Sequence, residues 1–129
     1  MKISIIGAGN VGSLFAMRLA QEGLGEIVLV DIVKGMAQGK AFDLEDARSI
    51  LKLNYNIRGS DDSASIVDSD IVVITAGLPR KPGMTREDLL NKNSQILKDA
   101  ALSVKKFCPK SILIVVTNPL DLMTRLGLE

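Results

Sequence analysis

The sequence has no histidine and no tryptophan among its 129 residues. Without histidine the chain lacks the commonest general base and metal ligand, so no catalytic side chain and no metal is assigned to it. One cysteine, Cys108, cannot close an internal disulfide, which fits a reducing cytoplasm. It reads as a small apolar filler near a helix end. Neither sign of charge is in excess: 16 Lys and Arg stand against 15 Asp and Glu, a net charge of +1. That balance argues against nucleic acid or an anionic membrane as the main partner. No apolar run approaches the roughly 20 residues that span a bilayer. The opening MKISIIGAGN reaches glycine too early for a signal peptide. The expected location is the cytoplasm.

Hydrophobic residues are abundant instead, at 47%, the upper end for a globular domain. Part of that surface is expected to meet another domain or subunit. KISII (residues 2–6), EIVLVD (26–31), DIVVIT (70–75) and SILIVV (111–116) are nearly continuous runs rich in Ile and Val. Such runs suit strands buried on both faces of a parallel sheet. YNIRG (55–59) is a weaker strand. Between the first two runs, Val11, Leu14, Phe15, Ala16, Leu19 and Ala20 recur at helical spacing until Gly23 and Gly25. KGMAQGKAFDLEDARSILK reads as a helix weakened by its glycines, and SASIVDS as a short helix. Thr85 and Asp88 have capping-box spacing. Leu89, Ile96, Leu97, Ala100, Ala101 and Val104 follow as one stripe, closed by Pro109. Alternating strands and helices predict an α/β fold: right-handed crossovers and a doubly wound parallel sheet, the Rossmann dinucleotide-binding arrangement. Five strands are visible where the full pattern has six, and a helix begins after TNPLDLM. The sheet is therefore expected to be incomplete at its C-terminal end.

GAGNVG places Gly7, Gly9 and Gly12 between the first strand and a helix. The motif alone is a weak signal; strand, glycine turn, helix, second strand and terminal acid together are stronger. Gly7 permits the turn, Gly9 admits a pyrophosphate to the backbone, and Gly12 allows close helix–strand packing. Ala8 belongs to the same turn. The N–H groups around Asn10 and Val11 meet phosphate oxygens. Asp31, 24 residues after Gly7, is placed to accept both hydroxyls of the adenosine ribose. A 2′-phosphate there would meet like charge, with Lys34 the nearest cation, so NAD is expected over NADP.

TAGLPRKPGMTR (75–86) puts Arg80, Lys81 and Arg86 among Gly77, Pro79, Pro82 and Gly83. Read alone, it is equally a solvated basic loop, a phosphate contact or a carboxylate-binding lid. With its continuation EDLLNKN, and with VVTNPLDLM after the next strong strand, it resembles the malate dehydrogenases of the lactate/malate dehydrogenase family. The resemblance covers essentially the whole chain, and the first motif is highly specific.

The resemblance implies that residues 1–129 are the NAD-binding domain of an NAD-dependent oxidoreductase, with the C-terminal substrate and catalytic domain absent from this chain. The reaction implied is reversible oxidation of (S)-malate to oxaloacetate, a step of the tricarboxylic acid cycle. Arg80 would bind the distal carboxylate of the dicarboxylate substrate and Arg86 would contact substrate from the same loop. Thr75, Ala76, Gly77 and Asn93 would touch the cofactor. Val116, Thr117 and Asn118 would line the nicotinamide end, the Asn118 amide also reaching substrate. A cis Asn118–Pro119 bond is expected at this turn. Chemically, a guanidinium matches a carboxylate through two parallel charge-assisted bonds that lysine cannot reproduce. Lys81 reads as solvated. The family's histidine, its aspartate partner and another arginine come from the other half. This chain alone is expected to bind NAD weakly without turnover, and the complete enzyme to be a homo-oligomer. A stand-alone regulatory NAD-binding module and a lactate-type 2-hydroxyacid dehydrogenase fragment are the alternatives. Arg80 opposes the second, because a lactate methyl would leave a buried cation unpaired.

Overall fold

Four apolar segments and the more polar stretch 56–60 pair side by side and in parallel in the computed structural model, which describes residues 1–128. The chain runs β1 (Lys2–Ile6), α1 (Asn10–Gln21), β2 (Glu26–Val30), α2 (Met36–Leu51), β3 (Asn56–Ser60), a 3-10 turn (Ser63–Ile66), β4 (Ile71–Ile74), α3 (Arg86–Phe107), β5 (Ile112–Val115) and α4 (Leu120–Leu128). Strand order is β3-β2-β1-β4-β5, so the order reverses between β1 and β4. The carboxyl ends flanking such a switch point form the binding crevice of open α/β sheets. The expected doubly wound parallel fold is present.

Side chains alternate between two cores, as a period of two requires. Ile3, Ile5, Ile27, Leu29, Ile57 and Val73 pack with Ala16 and Ala20 of α1 and Ala37 and Ala41 of α2. The opposite face buries Val28, Val72 and Ile74 under Ile66, α3 and α4. Small residues set these distances. A Cβ at Gly59 would overlap the Ala37 carbonyl, so α2 lies directly on β3 despite its internal Gly39. At the amino end of the sheet, Glu26 N–H donates to the Met1 carbonyl at 3.0 Å, and a Cβ at Gly25 would overlap that same oxygen. β5 is covered on one side only. Leu113 and Val115 are half-buried beneath α3 and α4, whereas Ile112 and Ile114, on the α1 face, are 64% and 42% exposed.

The open face of β5 departs from the burial on both faces expected of its run, and two further elements differ from the sequence reading. The helix expected over SASIVDS is one 3-10 turn, capped by the Asp62 side chain on Ala64 N–H at 2.9 Å. It ends because Val67 leaves helical geometry and Asp68 takes a left-handed φ of 58°. The α3 stripe buries Leu97, Ala100 and Val104, leaves Leu89, Ile96 and Ala101 half-buried, and includes a buried polar residue, Asn93. The Thr85–Asp88 capping box is complete: each backbone N–H donates to the other's side chain at 3.0 Å. The Thr85 hydroxyl and backbone N–H hold the Asp88 carboxyl below its ordinary range. Cys108 is buried at the end of α3, and burial pushes its thiol up. Among the described residues no helix is long and apolar enough to cross a membrane.

Candidate cofactor and substrate crevice

The three motif glycines answer different demands. Gly7 has a φ of 110°, and a Cβ there would lie 2.6 Å from Ala76 N and 2.8 Å from Thr75 Oγ1. At Gly12 a Cβ would overlap the Gly7 carbonyl oxygen. Both positions are therefore glycine because the fold itself has no space. Gly9 is the opposite: its φ is ordinary and nothing lies within 4 Å of its Cβ position. The protein has no packing need for glycine there, which fits a space kept for a ligand. Gly9 caps α1 without a side-chain bond, and the first turn of α1 carries no acid. The N–H groups of Asn10, Val11 and Gly12 precede the first intrahelical bond, Ser13 N–H to Gly9 O at 2.9 Å. Uncapped donors on the positive end of the helix dipole suit a pyrophosphate.

Asp31 stands just past β2 beside this turn. Its carboxylate accepts from Ala8 N–H at 2.7 Å through one oxygen and from Val33 N–H at 2.9 Å through the other. Each oxygen keeps acceptor capacity for a hydroxyl. The adjoining pocket has apolar walls from Val30, Ile32, Ala76 and Ile96. Its lining includes three carboxylates, Asp31, Asp61 and Asp99, and no lysine or arginine. Lys34 is not part of it, so a 2′-phosphate placed there would meet carboxylates with no cation in the lining. Sequence reading missed the α3 contribution of Ile96, Asp99, Ala100 and Ser103. Their spacing of three and four along one helix face was the available signal.

A second crevice continues from the glycine turn. Gly9, Asn10 and Val11 form one wall, Gly77 to Arg80 another, and Val116 to Asn118 the third, with Asn93 behind. The Thr75 hydroxyl donates to Gly7 O at 3.0 Å and supports the glycine turn from β4. Thr117 Oγ1 donates to Ala76 O at 2.8 Å. Asn93 is 3% exposed; its oxygen accepts from Leu78 N–H at 2.8 Å and its amide donates to Leu78 O and Asn118 O. The Asn118–Pro119 bond is cis, as expected at this turn.

Arg80 lines the crevice but is exposed rather than the buried cation expected, with Nε donating to Met84 O at 3.2 Å. Arg86 is exposed at the first position of α3, outside the crevice lining. Lys81 is exposed, outside the crevice lining, beside Pro82 and Gly83. Residues 75–85 carry no helix or strand, and Gly83 adopts a φ of 82°. Among the described residues, no group of three or more His, Cys, Asp or Glu could hold a metal ion.

Comparison with known proteins matches this geometry. The model of the lactate/malate dehydrogenase NAD-binding domain matches residues 1–129. The malate dehydrogenase of Methanosarcina barkeri is 54% identical over 128 residues, covering 99% of this chain and 42% of that protein. The crystal structure of Cryptosporidium parvum malate dehydrogenase superposes with a TM-score of 0.91 at 45% identity, covering 98% of this chain and 40% of that one. The Archaeoglobus fulgidus malate dehydrogenase in complex with NADH gives 0.92 at 43% identity, covering 98% and 44%. The chain thus spans about 42% of the length of the curated relatives it matches. A glycine turn shaped by Gly7 and Gly12, an open helix end and an acid in a pocket lined by no lysine or arginine therefore belong to a chain of the lactate/malate dehydrogenase family, in its NAD-binding domain.

Proposed function

We propose that this chain is the NAD-binding half of an NAD-dependent malate dehydrogenase. Arg80 in the crevice carries the reading, because a cation beside the nicotinamide end has use for a dicarboxylate and none for a methyl group. The α1 N-terminus holds the pyrophosphate, and Asp31 holds the adenosine ribose while excluding NADP. Bound NAD supplies the hydride acceptor for oxidation of (S)-malate to oxaloacetate. The chain's own residues bind and orient: Arg80 takes the distal carboxylate, and Asn118 aims its amide toward substrate. Arg86 joins only when the 75–85 loop folds inward, excluding water and strengthening the ion pairs. The hydroxyl proton needs a base that this histidine-free sequence lacks. That base, its aspartate and another arginine come from a further segment of the family's architecture. A cytoplasmic enzyme of the tricarboxylic acid cycle, assembled from more than one subunit, is the setting that fits.

Calorimetric titration of the chain with NADH and NADPH, paired with an oxaloacetate turnover assay, tests this. Weak NADH binding, weaker NADPH binding and no turnover are expected. Measurable turnover by the pure chain would refute the divided site. Equal affinity for both cofactors would refute the role of Asp31. A native gene product of 129 residues would favour a self-contained NAD-binding module.

A further inference from the structure

Asn93 is the one polar side chain in the buried stripe of α3. Leucine there would continue the apolar surface, and burying an amide is costly unless its groups are bonded. Both amide hydrogens and the oxygen are engaged, and every partner is backbone outside α3: Leu78 N–H at 2.8 Å, Leu78 O at 3.4 Å and Asn118 O at 3.1 Å. Leu78 follows β4 and Asn118 follows β5, so one side chain joins loops 40 residues apart in sequence. The neighbouring links lie deeper. Thr117 ties Ala76, and Gly77 is packed so closely that a Cβ would come within 2.9 Å of Thr117 Cγ2. Past Leu78, the next side-chain bond among the described residues is Arg80 to Met84, internal to the loop.

We propose that Asn93 is a positioning residue: it fixes the pivot of the 75–85 loop at Leu78 and sets the spacing between Arg80 and Asn118. The inference rests on the cofactor reading above, but the brace can be tested without it. In this role the side chain acts through the Leu78 and Asn118 backbone to which its amide hydrogens are bonded, rather than through the direct cofactor contact that the family resemblance implies. The loop can swing only from Pro79 onward, so Arg80 moves against a fixed Asn118.

The test combines amide hydrogen exchange with ligand binding on the full chain. In Asn93→Ala, residues 76–80 and 116–119 should exchange faster together, while residues 7–12 and the α3 core keep their protection. NADH should bind about tenfold more weakly, the equivalent of roughly one net hydrogen bond, and ADP-ribose should bind as in the parent. The NADH advantage over ADP-ribose therefore narrows. Loosening of one segment alone, or of neither, overturns the proposal. So does an unchanged gap between the two ligands, or an equal loss of both, which marks a merely structural residue. If Asn93→Ala does not fold, Asn93→Asp replaces it. The aspartate keeps the acceptor for Leu78 N–H and loses the amide donors, so exchange should rise at 116–119 while Leu78 stays protected; the opposite pattern overturns the brace. A parent chain that binds neither ligand refutes the cofactor reading and leaves the exchange result to decide the brace.

Discussion

Gly9 and Gly12 are three residues apart in one motif, yet substitution should separate them. Alanine at Gly12 must displace the Gly7 carbonyl, a backbone group that the Thr75 hydroxyl also holds, at a cost on the order of 3 kcal/mol. Alanine at Gly9 has open space and an ordinary φ, so only the cap preference is lost, less than about 1 kcal/mol. Urea denaturation should therefore show a large fall in midpoint for Gly12→Ala and a small one for Gly9→Ala. In calorimetry Gly9→Ala should weaken NADH binding while remaining folded. Arg80 is tested by substrate choice. In a family-length enzyme carrying this segment, Arg80→Gln should shift the ratio of kcat/KM for oxaloacetate over pyruvate by on the order of 100-fold toward pyruvate. An unchanged ratio would remove Arg80 from carboxylate recognition. The positions of the glycine turn and Asp31 were legible because each follows from one residue type at one place in the chain, whereas Arg80 stood out only through the longer motif around it. The amide of Asn93 was not legible. Its partners are backbone groups brought beside it only by the sheet, and no local pattern encodes them.

Helix α3 shows what short-range chemistry reveals about an element. Its start was readable because Thr85 and Asp88 satisfy each other's backbone within one turn. Thr85→Ala should cost about 1 kcal/mol in thermal or chemical denaturation. The same cap gives the acid limb of stability a sign. Asp88 is depressed in the folded chain by the Thr85 hydroxyl and N–H, so its contribution is present above the ordinary carboxylate range and is lost as pH falls through the depressed value. A melting-temperature profile from about pH 6 to about pH 2 should fall less steeply for Thr85→Ala than for the parent. Strands β1, β2 and β4 were equally legible, since burial on both faces leaves runs of Ile and Val; β5 carries the same kind of run with one face open. The 3-10 turn was harder: a left-handed Asp68 stops it, and aspartate does not announce that conformation.

At the scale of the molecule, the sheet has two unlike faces. α1 and α2 cover β1 to β3 on one side, but Ile112 and Ile114 of β5 lie open on that side. Parallel sheets ordinarily have both faces covered, so this strip should associate with itself or with a hydrophobic probe. Replacing both isoleucines with threonine should reduce anilinonaphthalene sulfonate fluorescence and self-association by sedimentation, with little change in melting temperature. Unchanged association would place the sticky surface elsewhere. The high hydrophobic content pointed to such a surface, but only the register of β5 on β4 located it. The parallel topology also fixes where a handle can be attached. Met1 is wedged against Gly25 at the amino end of the sheet, while the glycine turn, Asp31 and Arg80 sit at the carboxyl end. About 16 Å of strand separates them. A chain anchored to a sensor surface through its N-terminus would thus present its crevice outward, so surface-based cofactor binding can be measured without the support blocking the site.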